Sequence, residues 1–251
     1  MRTRAPGQVG HGQRKAGGRP IRNTILQRIP PAEFEALRPH LRLVALPMGE
    51  TLQREHARIE FTYFLNSGMA SLLVQTDNGR SVEVGIAGRE ELVGLPLIAD
   101  LPSHSHSVVM QVPGEGFIVE GHTLKRLLRS SPELRSVLIK RLGIRSQQLA
   151  QNAACNRLHS VRQRVARWLL TAHDRLDSDV VHTTHDFLAK LVGTDRPSVS
   201  VAVGQLEDKG IRRSRASIHI IRRDRLEKQA CECYSALQQF NAELGLPNAS
   251  R

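Results

Sequence analysis

Residues 184–210 read THDFLAKLVGTDRPSVSVAVGQLEDKG, and this stretch decides the fold of the C-terminal part of the chain. It holds two short segments with helical apolar periodicity, joined at Gly193, where a helix end needs a left-handed residue. Thr184 is a candidate N-cap of the first helix, and Thr194 or Asp195 of the second. The pattern predicts two helices connected by a tight turn.

The spacing of three small or β-branched residues identifies the kind of helix pair. Ala189 is small enough for a close helix crossing, and Gly193 permits the turn. The β-branched Val199 fills the angle between the two helices. This spacing is typical of a helix-turn-helix, whose second helix places its N-terminal residues in the DNA major groove.

The second helix begins with Arg196-Pro197-Ser198, a polar and cationic start that a helix packed only in the core would not need. Pro197 is tolerated there because N–H groups of a first turn have no intrahelical acceptor. We therefore expect Arg196, Ser198 and Ser200 to face DNA.

The next segment, GIRRSRASIHII at 210–221, predicts two short strands with a polar tip from Arg213 to Ala216. Such a hairpin forms the wing of a winged helix. Arg212, Arg213 and Arg215 would then meet DNA phosphates.

Charge supports a polyanionic partner for the chain of 251 residues, which has a formal net charge of +12. Residues 155–228 hold 15 Lys and Arg against 9 Asp and Glu, whereas residues 23–154 hold 14 against 13. Residues 1–22 are basic, rich in Gly and Pro, and predicted to be a disordered tail; an over-long start assignment would explain them equally well. The neutral middle and the basic C-terminal part are expected to do different work.

The sequence contains neither a run of 18 apolar residues nor a secretory signal, so a cytoplasmic protein without membrane contact is expected. Cys155, Cys231 and Cys233 are too few for a disulfide framework. They lack the CxxC spacing, and an iron–sulfur cluster usually needs four thiolates. The prediction is three thiols with no shared role and no metal site.

Residues 23–131 are predicted to form one unit. It consists of a helix over about 23–41 followed by an antiparallel, jelly-roll-like β-roll. Short β-branched runs alternate with turn signals, and Asp77-Asn78-Gly79 lies between two of these runs as a hairpin signal.

A long helix is predicted over 132–158, after which the winged helix-turn-helix and a final helix occupy 159–251. Apolar or small residues recur along the long helix at steps of three and four, which indicates a narrow seam for a two-helix contact. An ordinary core-facing helix is the alternative. The predicted dimer interface comprises Ile139, Leu142, Ser146, Leu149 and Ala153.

With these features, the chain resembles the Crp/Fnr family of bacterial transcription regulators. The resemblance runs from about residue 23 through the wing and is strongest in NRLHSVRQRVARWLL, FLAKLVGTDRPSVSVAVGQLEDKGIRR and RLEKQACECY. It implies an α+β chain with an N-terminal roll resembling cyclic-nucleotide-binding domains, a long dimerisation helix and a C-terminal winged helix-turn-helix.

The resemblance also implies roles for individual residues. Arg196 matches an arginine that reads guanine, and Thr184 matches a residue that contacts phosphate. Val201 and Pro197 stand where some members carry a second base-reading arginine and a glutamate, so the operator should differ from theirs. The predicted DNA-contacting set is Thr184, Asp195, Arg196, Ser198, Ser200, Arg212, Arg213 and Arg215.

The roll departs from the pattern of cyclic-nucleotide binders in the family. Gly94 is followed by Leu95 instead of a ribose-binding glutamate, and no Lys or Arg lies between Arg89 and Lys125. A buried phosphate without a cation is costly, so cAMP is not the expected signal. The candidate effector loop comprises Gly94, Leu95, His104 and His106, whose histidines are either ligand contacts or ordinary surface residues.

The predicted function is a homodimeric, sequence-specific DNA-binding regulator that acts on a near-palindromic operator and responds to an unidentified signal. An effector-independent, constitutive or architectural DNA binder is the alternative, and RNA polymerase is a further candidate partner. The family's N-terminal iron–sulfur cysteines are absent, and the sequence indicates no cofactor. No enzyme is predicted. The sequence contains no HExxH spacing, no GxSxG elbow and no Gly-rich phosphate loop.

Overall fold

The computed structural model describes residues 14–77, 79 and 81–243, and its first residues form a small hairpin. Strands β1 (Lys15–Ala16) and β2 (Arg19–Pro20) pair antiparallel, and Ile21 is buried just after them. The predicted disordered tail is therefore wrong for residues 14–22, because this apolar side chain anchors the segment. Residues 1–13 of that predicted tail lie outside the described residues.

Two short helices replace the single helix predicted over 23–41. They are α1 (Thr24–Arg28) and α2 (Pro31–Leu37), followed by a 3-10 turn, Arg38–His40. The break falls at Pro30-Pro31, since proline lacks the N–H of a helical hydrogen bond and disfavours helical backbone in the residue before it.

Two four-stranded antiparallel sheets form the roll. Their strands are β3 (Arg42–Leu46), β4 (Thr51–Gln53), β5 (Phe61–Leu65), β6 (Met69–Gln75), β7 (Ser81–Ala87), β8 (Leu92–Val93), β9 (Ser107–Val112) and β10 (Gly114–Glu120). The sheet orders are β3-β10-β5-β8 and β4-β9-β6-β7. The predicted hairpin is confirmed, because β6 and β7 pair across residues 76–80.

Apolar side chains from both sheets fill the inside of the roll, among them Leu65, Leu72 and Met110. A second cluster lies under α1 and α2 and includes Phe34 and Phe117. The helix α3 (Gly121–Leu127) and the long helix α4 (Pro132–Leu158) follow the roll. The bounds of α4 coincide with the predicted range 132–158.

The C-terminal part combines five helices with a three-stranded sheet. These elements are α5 (Val161–His173), β11 (Val180–His182), α6 (His185–Val192), α7 (Arg196–Leu206), β12 (Ile211–Ser214), β13 (Ser217–Ile220), α8 (Arg223–Glu227) and α9 (Cys233–Glu243). The sheet order is β11-β13-β12. Roll, long helix and winged unit together confirm the predicted α+β fold.

A third apolar cluster joins the roll to the winged unit. Met69 and Ile86 of the roll pack in the same cluster as Trp168 and Leu188 of the winged unit. Among the described residues, no helix combines the length and hydropathy needed to cross a membrane.

Candidate DNA interface and effector pocket

The turn between α6 and α7 is built by the predicted caps. Thr184 Oγ1 accepts a hydrogen bond from the Phe187 N–H at 3.2 Å, and Gly193 adopts φ 65° at the end of α6. Asp195, not Thr194, caps α7, because its Oδ1 accepts from the Ser198 N–H at 2.8 Å. That hydrogen bond also holds the pKa of Asp195 below its ordinary value.

The first turn of α7 presents a guanidinium to solvent. The Arg196 side chain is 66% exposed, and its Nη1 lies 3.5 Å from Asp186 Oδ2. An exposed ion pair of this kind contributes little stability, so Arg196 can leave it for a stronger acceptor. Val201, five residues further along α7, is 61% exposed.

The two predicted serines differ in their surroundings. Ser198 is half-buried beside the cap, and its N–H is the group that Asp195 accepts from. Ser200 is half-buried as well, and its Oγ lies 2.9 Å from His185 Nδ1 on α6. The Ser200 hydroxyl is therefore already engaged within the helix pair.

The predicted wing is present, with a shorter tip than expected. Arg213 and Ser214 belong to β12, since Arg213 pairs with Ile218 across the sheet, so the tip consists of Arg215 and Ala216. Arg212 and Arg215 are exposed. Arg213 is exposed too, but its Nε lies 3.1 Å from Glu207 Oε2.

The predicted seam lies on the outer face of α4. Ile139 is 49% exposed, Leu142 and Leu149 are half-buried, and Ser146 and Ala153 are exposed. The opposite face of α4 is buried against the rest of the chain. An apolar stripe is thus left at the surface of a single chain.

A cavity of about 330 Å³ lies between the roll and α4. Its walls are mostly apolar, and three seam residues, Leu142, Ser146 and Leu149, contribute to them. Its volume falls within the range of small-molecule sites. The remaining lining comprises Leu72, Ala87, Glu91, Leu92, Val93, Leu95, Pro96, His104, His106, Val108 and Arg145.

His104 is buried in the wall of this cavity, which corrects the surface-histidine interpretation. Its exposed fraction is 6%, and neither ring nitrogen has a hydrogen-bond partner among the described residues. Burial, reinforced by His106, lowers its pKa to about 4. The two rings meet edge to face with centroids 5.0 Å apart. A neutral imidazole with free nitrogens can donate to and accept from a ligand.

The cavity also has a cation that the roll sequence does not supply. Arg145 reaches it from α4, but its guanidinium contacts the Glu91 carboxylate and donates to the Ile86 carbonyl at 3.0 Å. Arg141 also binds Glu91, with Nη2 2.7 Å from Oε2. Both guanidinium groups therefore already engage Glu91 within the protein.

Models of two domain families match the chain. Residues 43–131 match the cyclic nucleotide-binding domain, and residues 163–229 match the Crp-like helix-turn-helix domain. The chain belongs to the Crp/Fnr family. It is a Crp/Fnr-type transcription regulator with a helix-turn-helix DNA-binding domain. A comparison with curated proteins finds none that matches this sequence.

Solved structures of Crp/Fnr regulators share the fold at low identity. FixK2 of Bradyrhizobium japonicum is 17% identical with a TM-score of 0.66, over 76% of this chain and 98% of that one. CLP of Xanthomonas campestris, described as c-di-GMP responsive, is 18% identical with a TM-score of 0.61, over 76% and 99%. A Crp-family regulator of Thermus thermophilus is 17% identical with a TM-score of 0.61, over 75% and 96%.

Gly94 and Leu95 of the predicted effector loop directly follow β8. Gly94 adopts φ 110°, and a Cβ there would lie 2.6 Å from the Thr62 side chain, so only glycine fits. Leu95 is buried in the pocket wall, where the family's cyclic-nucleotide binders place a glutamate. The cavity wall is therefore apolar at this position.

Sequence reasoning missed two clusters of this Crp/Fnr chain. Arg141 and Arg145 are four residues apart on the buried face of α4. A buried charge needs a partner of opposite charge, but this partner, Glu91, is distant in the sequence. The three cysteines, predicted to have no shared role, lie together because α9 packs on α4. A Cys-x3-His pair at 155–159 was the available signal.

Proposed function

We propose that this Crp/Fnr regulator acts as a homodimer that reads a near-palindromic operator, with α7 of each protomer in the major groove of one half-site. The observation that supports this proposal most directly is the capped N-terminus of α7 with its exposed Arg196. In this proposal residues 23–131 sense a signal, 132–158 dimerise and 159–251 bind DNA.

The side chains of α7 divide the reading of each half-site between them. A guanidinium can bond O6 and N7 of one guanine, so Arg196 specifies that base pair. Val201 offers an apolar surface to a thymine methyl group at a neighbouring position. The Ser198 hydroxyl can contact either a base edge or a phosphate.

Other groups hold the protein on the DNA backbone. Thr184 uses its oxygen as an acceptor in the α6 cap, which leaves its own O–H to donate to a phosphate. The exposed Arg212 and Arg215 meet phosphates at the wing, and Arg213 joins them by leaving Glu207. Asp195 serves the interface by fixing the start of α7, since a carboxylate itself repels phosphate.

The dimer is proposed through the seam of α4. Ile139, Leu142, Ser146, Leu149 and Ala153 form a narrow apolar stripe, and two such stripes can cover each other as in a coiled contact. The pairing would also close the cavity, because Leu142, Ser146 and Leu149 line it. Occupancy of the cavity and the packing of the two α4 helices would then be coupled.

We expect Arg196→Ala to weaken binding to the selected operator by about 1–3 kcal/mol and to relax one base position per half-site. Arg215→Ala should weaken operator and random DNA alike and lower the salt slope by about one. The measurement is genome-wide site selection with purified protein, followed by titration at two salt concentrations.

The proposal requires that the selected sites contain two symmetric half-sites about one helical turn apart. Sedimentation of the free protein should give the mass of two chains. Equal losses for Arg196→Ala and Arg215→Ala on operator and random DNA would contradict the assigned roles.

The signal proposed for the cavity is a small, mostly apolar molecule with one polar group that bonds His104, and not a cyclic nucleotide. The apolar lining, the paired arginines and the partnerless imidazole support this chemistry. A thermal-shift screen of small metabolites should yield a stabilising ligand that also changes operator affinity.

The His104→Leu variant should lose most of the ligand-induced shift, by about tenfold in affinity for one lost hydrogen bond. Cyclic AMP should give no shift in the wild type. The ion pairs that already engage Arg145 and Glu91 in the cavity wall favour the second candidate, an effector-independent DNA-binding dimer. A screen in which no ligand alters operator affinity would favour that candidate.

A further inference from the structure

Four metal-binding side chains meet where α4 ends and α9 begins. Cys155 lies in the last turn of α4 and His159 is its C-cap, while Cys231 and Cys233 lie just before and at the first residue of α9. The three thiols are buried. One ligand atom from each of the four residues lies within 4.8 Å of the other three.

The distances within this Cys3His cluster match those of a single tetrahedral ion. Cys155 Sγ lies 3.5 Å from Cys231 Sγ, and Cys233 Sγ lies 3.5 Å from His159 Nδ1. With Zn–S of about 2.3 Å and Zn–N of about 2.1 Å, a tetrahedron has sulfur–sulfur edges of about 3.8 Å and sulfur–nitrogen edges of about 3.6 Å. These two edges lie within a few tenths of an ångström of the ideal values, and the remaining edges stay within 4.8 Å.

The groups around the cluster orient its ligands. His159 faces Cys233 with Nδ1, and its Nε2 lies 3.0 Å from Glu232 Oε1. A metal-binding histidine commonly donates its other ring N–H to a carboxylate in this way, which fixes the tautomer and the ring. On the other side, Gln151 Nε2 donates to Cys233 Sγ at 3.0 Å.

We propose that Cys155, His159, Cys231 and Cys233 bind one zinc ion. Soft thiolates with one imidazole in a tetrahedral arrangement select zinc, and four protein ligands leave no open position, as in structural sites. A four-iron cluster places its thiolates on different irons, so ligands that share a 4.8 Å neighbourhood fit a single ion better.

The zinc ion would connect parts of the chain that have different proposed functions. Cys155 and His159 belong to the junction between the dimerisation helix and α5, and the other two ligands hold α9 on α4. A second contact runs along the same helix pair, where Gln148 Nε2 donates to Asn241 Oδ1 at 3.0 Å. The ion would keep the orientation of the winged unit fixed relative to α4.

The test is the metal content of the full-length protein purified anaerobically with a reductant. We expect about one zinc per chain that survives dialysis, and a thiolate-to-metal charge-transfer band after replacement by Co²⁺. Cys233→Ser and His159→Ala should lose the metal, whereas Cys233→His, which retains four ligands, should keep it. Glu232→Gln should keep zinc with about 10–100-fold lower affinity.

His122→Ala serves as the matched control, because His122 is exposed on α3 and should not affect the zinc content. The proposal is overturned if the native wild type contains no zinc and all three thiols react freely. It is equally overturned by an iron–sulfur spectrum, by a Cys155–Cys231 disulfide in the isolated protein, or by zinc that remains in both Cys233→Ser and His159→Ala.

Discussion

Replacing Arg141 by methionine should lower the free energy of unfolding by about 3–5 kcal/mol, because the buried Glu91 carboxylate loses one of its two cationic partners. Arg141 is fully buried, and its guanidinium bonds Glu91 through Nε at 3.2 Å and Nη2 at 2.7 Å. The side chain also lies 3.9 Å from Glu90. Urea unfolding followed by the fluorescence of the single tryptophan, Trp168, measures the loss.

Two further variants separate the lost ion pair from lost packing. Lys140→Met changes an exposed neighbour on the same helix and should stay within about 0.5 kcal/mol of the wild type. Combining Arg141→Met with Glu91→Gln should cost less than the sum of the two single losses, since the two side chains are in direct contact. A loss below about 1 kcal/mol for Arg141→Met would show that the pair contributes nothing of this kind.

The ion network of Arg141 connects three regions of the molecule. Glu90 and Glu91 follow β7 in the roll, Arg141 and Arg145 lie on α4, and Arg175 follows α5, with Nη2 2.7 Å from Glu90 Oε1. Burial opposes the charge of Glu90, but Arg175 and Arg141 outweigh it and lower its pKa to about 2. Glu90 therefore stays charged across the physiological range. Because Glu91 bonds Arg141, a ligand that moves Glu91 would act on α4.

The winged helix-turn-helix was predictable because its signals are local. Thr184, Gly193 and Asp195 each cap a helix through a neighbour within a few residues. The wing was found for the same reason, and its tip was misplaced by two residues because strand ends depend on cross-strand pairing.

The clusters that depend on distant contacts were not predictable. Cys155 meets Cys231 across 76 residues, and Arg141 meets Glu91 across 50. Composition and periodicity carry no information on which helices pack together. His104 was misjudged for a related reason, since a polar loop sequence does not show that the loop folds over a cavity.

Glu83 should make the stability of the protein fall as pH rises from about 4.5 to 8, and Glu83→Gln should remove this dependence. Glu83 lies on β7, where Oε1 accepts from Trp168 Nε1 at 2.9 Å and Oε2 forms a short hydrogen bond with Ser71. Burial raises its pKa from 4.5 to about 7, against the hydrogen bonds of Ser71 and Trp168 and the charges of Arg167 and Arg175.

The sign follows from the raised pKa. Below pH 4.5 the carboxyl is protonated in both states, and its contribution is fully present. As pH rises, the unfolded chain releases the proton first, so the contribution is lost progressively until the folded pKa of about 7 has been passed. The total loss is about 3 kcal/mol. The lowered pKa of His104 acts in the opposite sense between about pH 4 and 6.5, where folding favours the neutral ring.

Because these two effects overlap, the quantity to measure is the difference in unfolding free energy between the wild type and Glu83→Gln. This difference should fall by about 3 kcal/mol from pH 4.5 to 8, while His104 cancels. Glutamine mimics the protonated carboxyl, since it can accept from Trp168 and donate to Ser71. Glu60→Gln, at an exposed position, should follow the wild type throughout.

Trp168 also reports the ionisation directly, since its indole N–H bonds the titrating carboxyl. The fluorescence of the folded wild type should titrate near pH 7, and that of Glu83→Gln should not. Parallel stability curves, or a titration that persists in the variant, would show that a histidine carries the effect. Because Glu83 belongs to the roll and Trp168 to the winged unit, the charge on one carboxyl then governs how firmly the roll and the winged unit hold together.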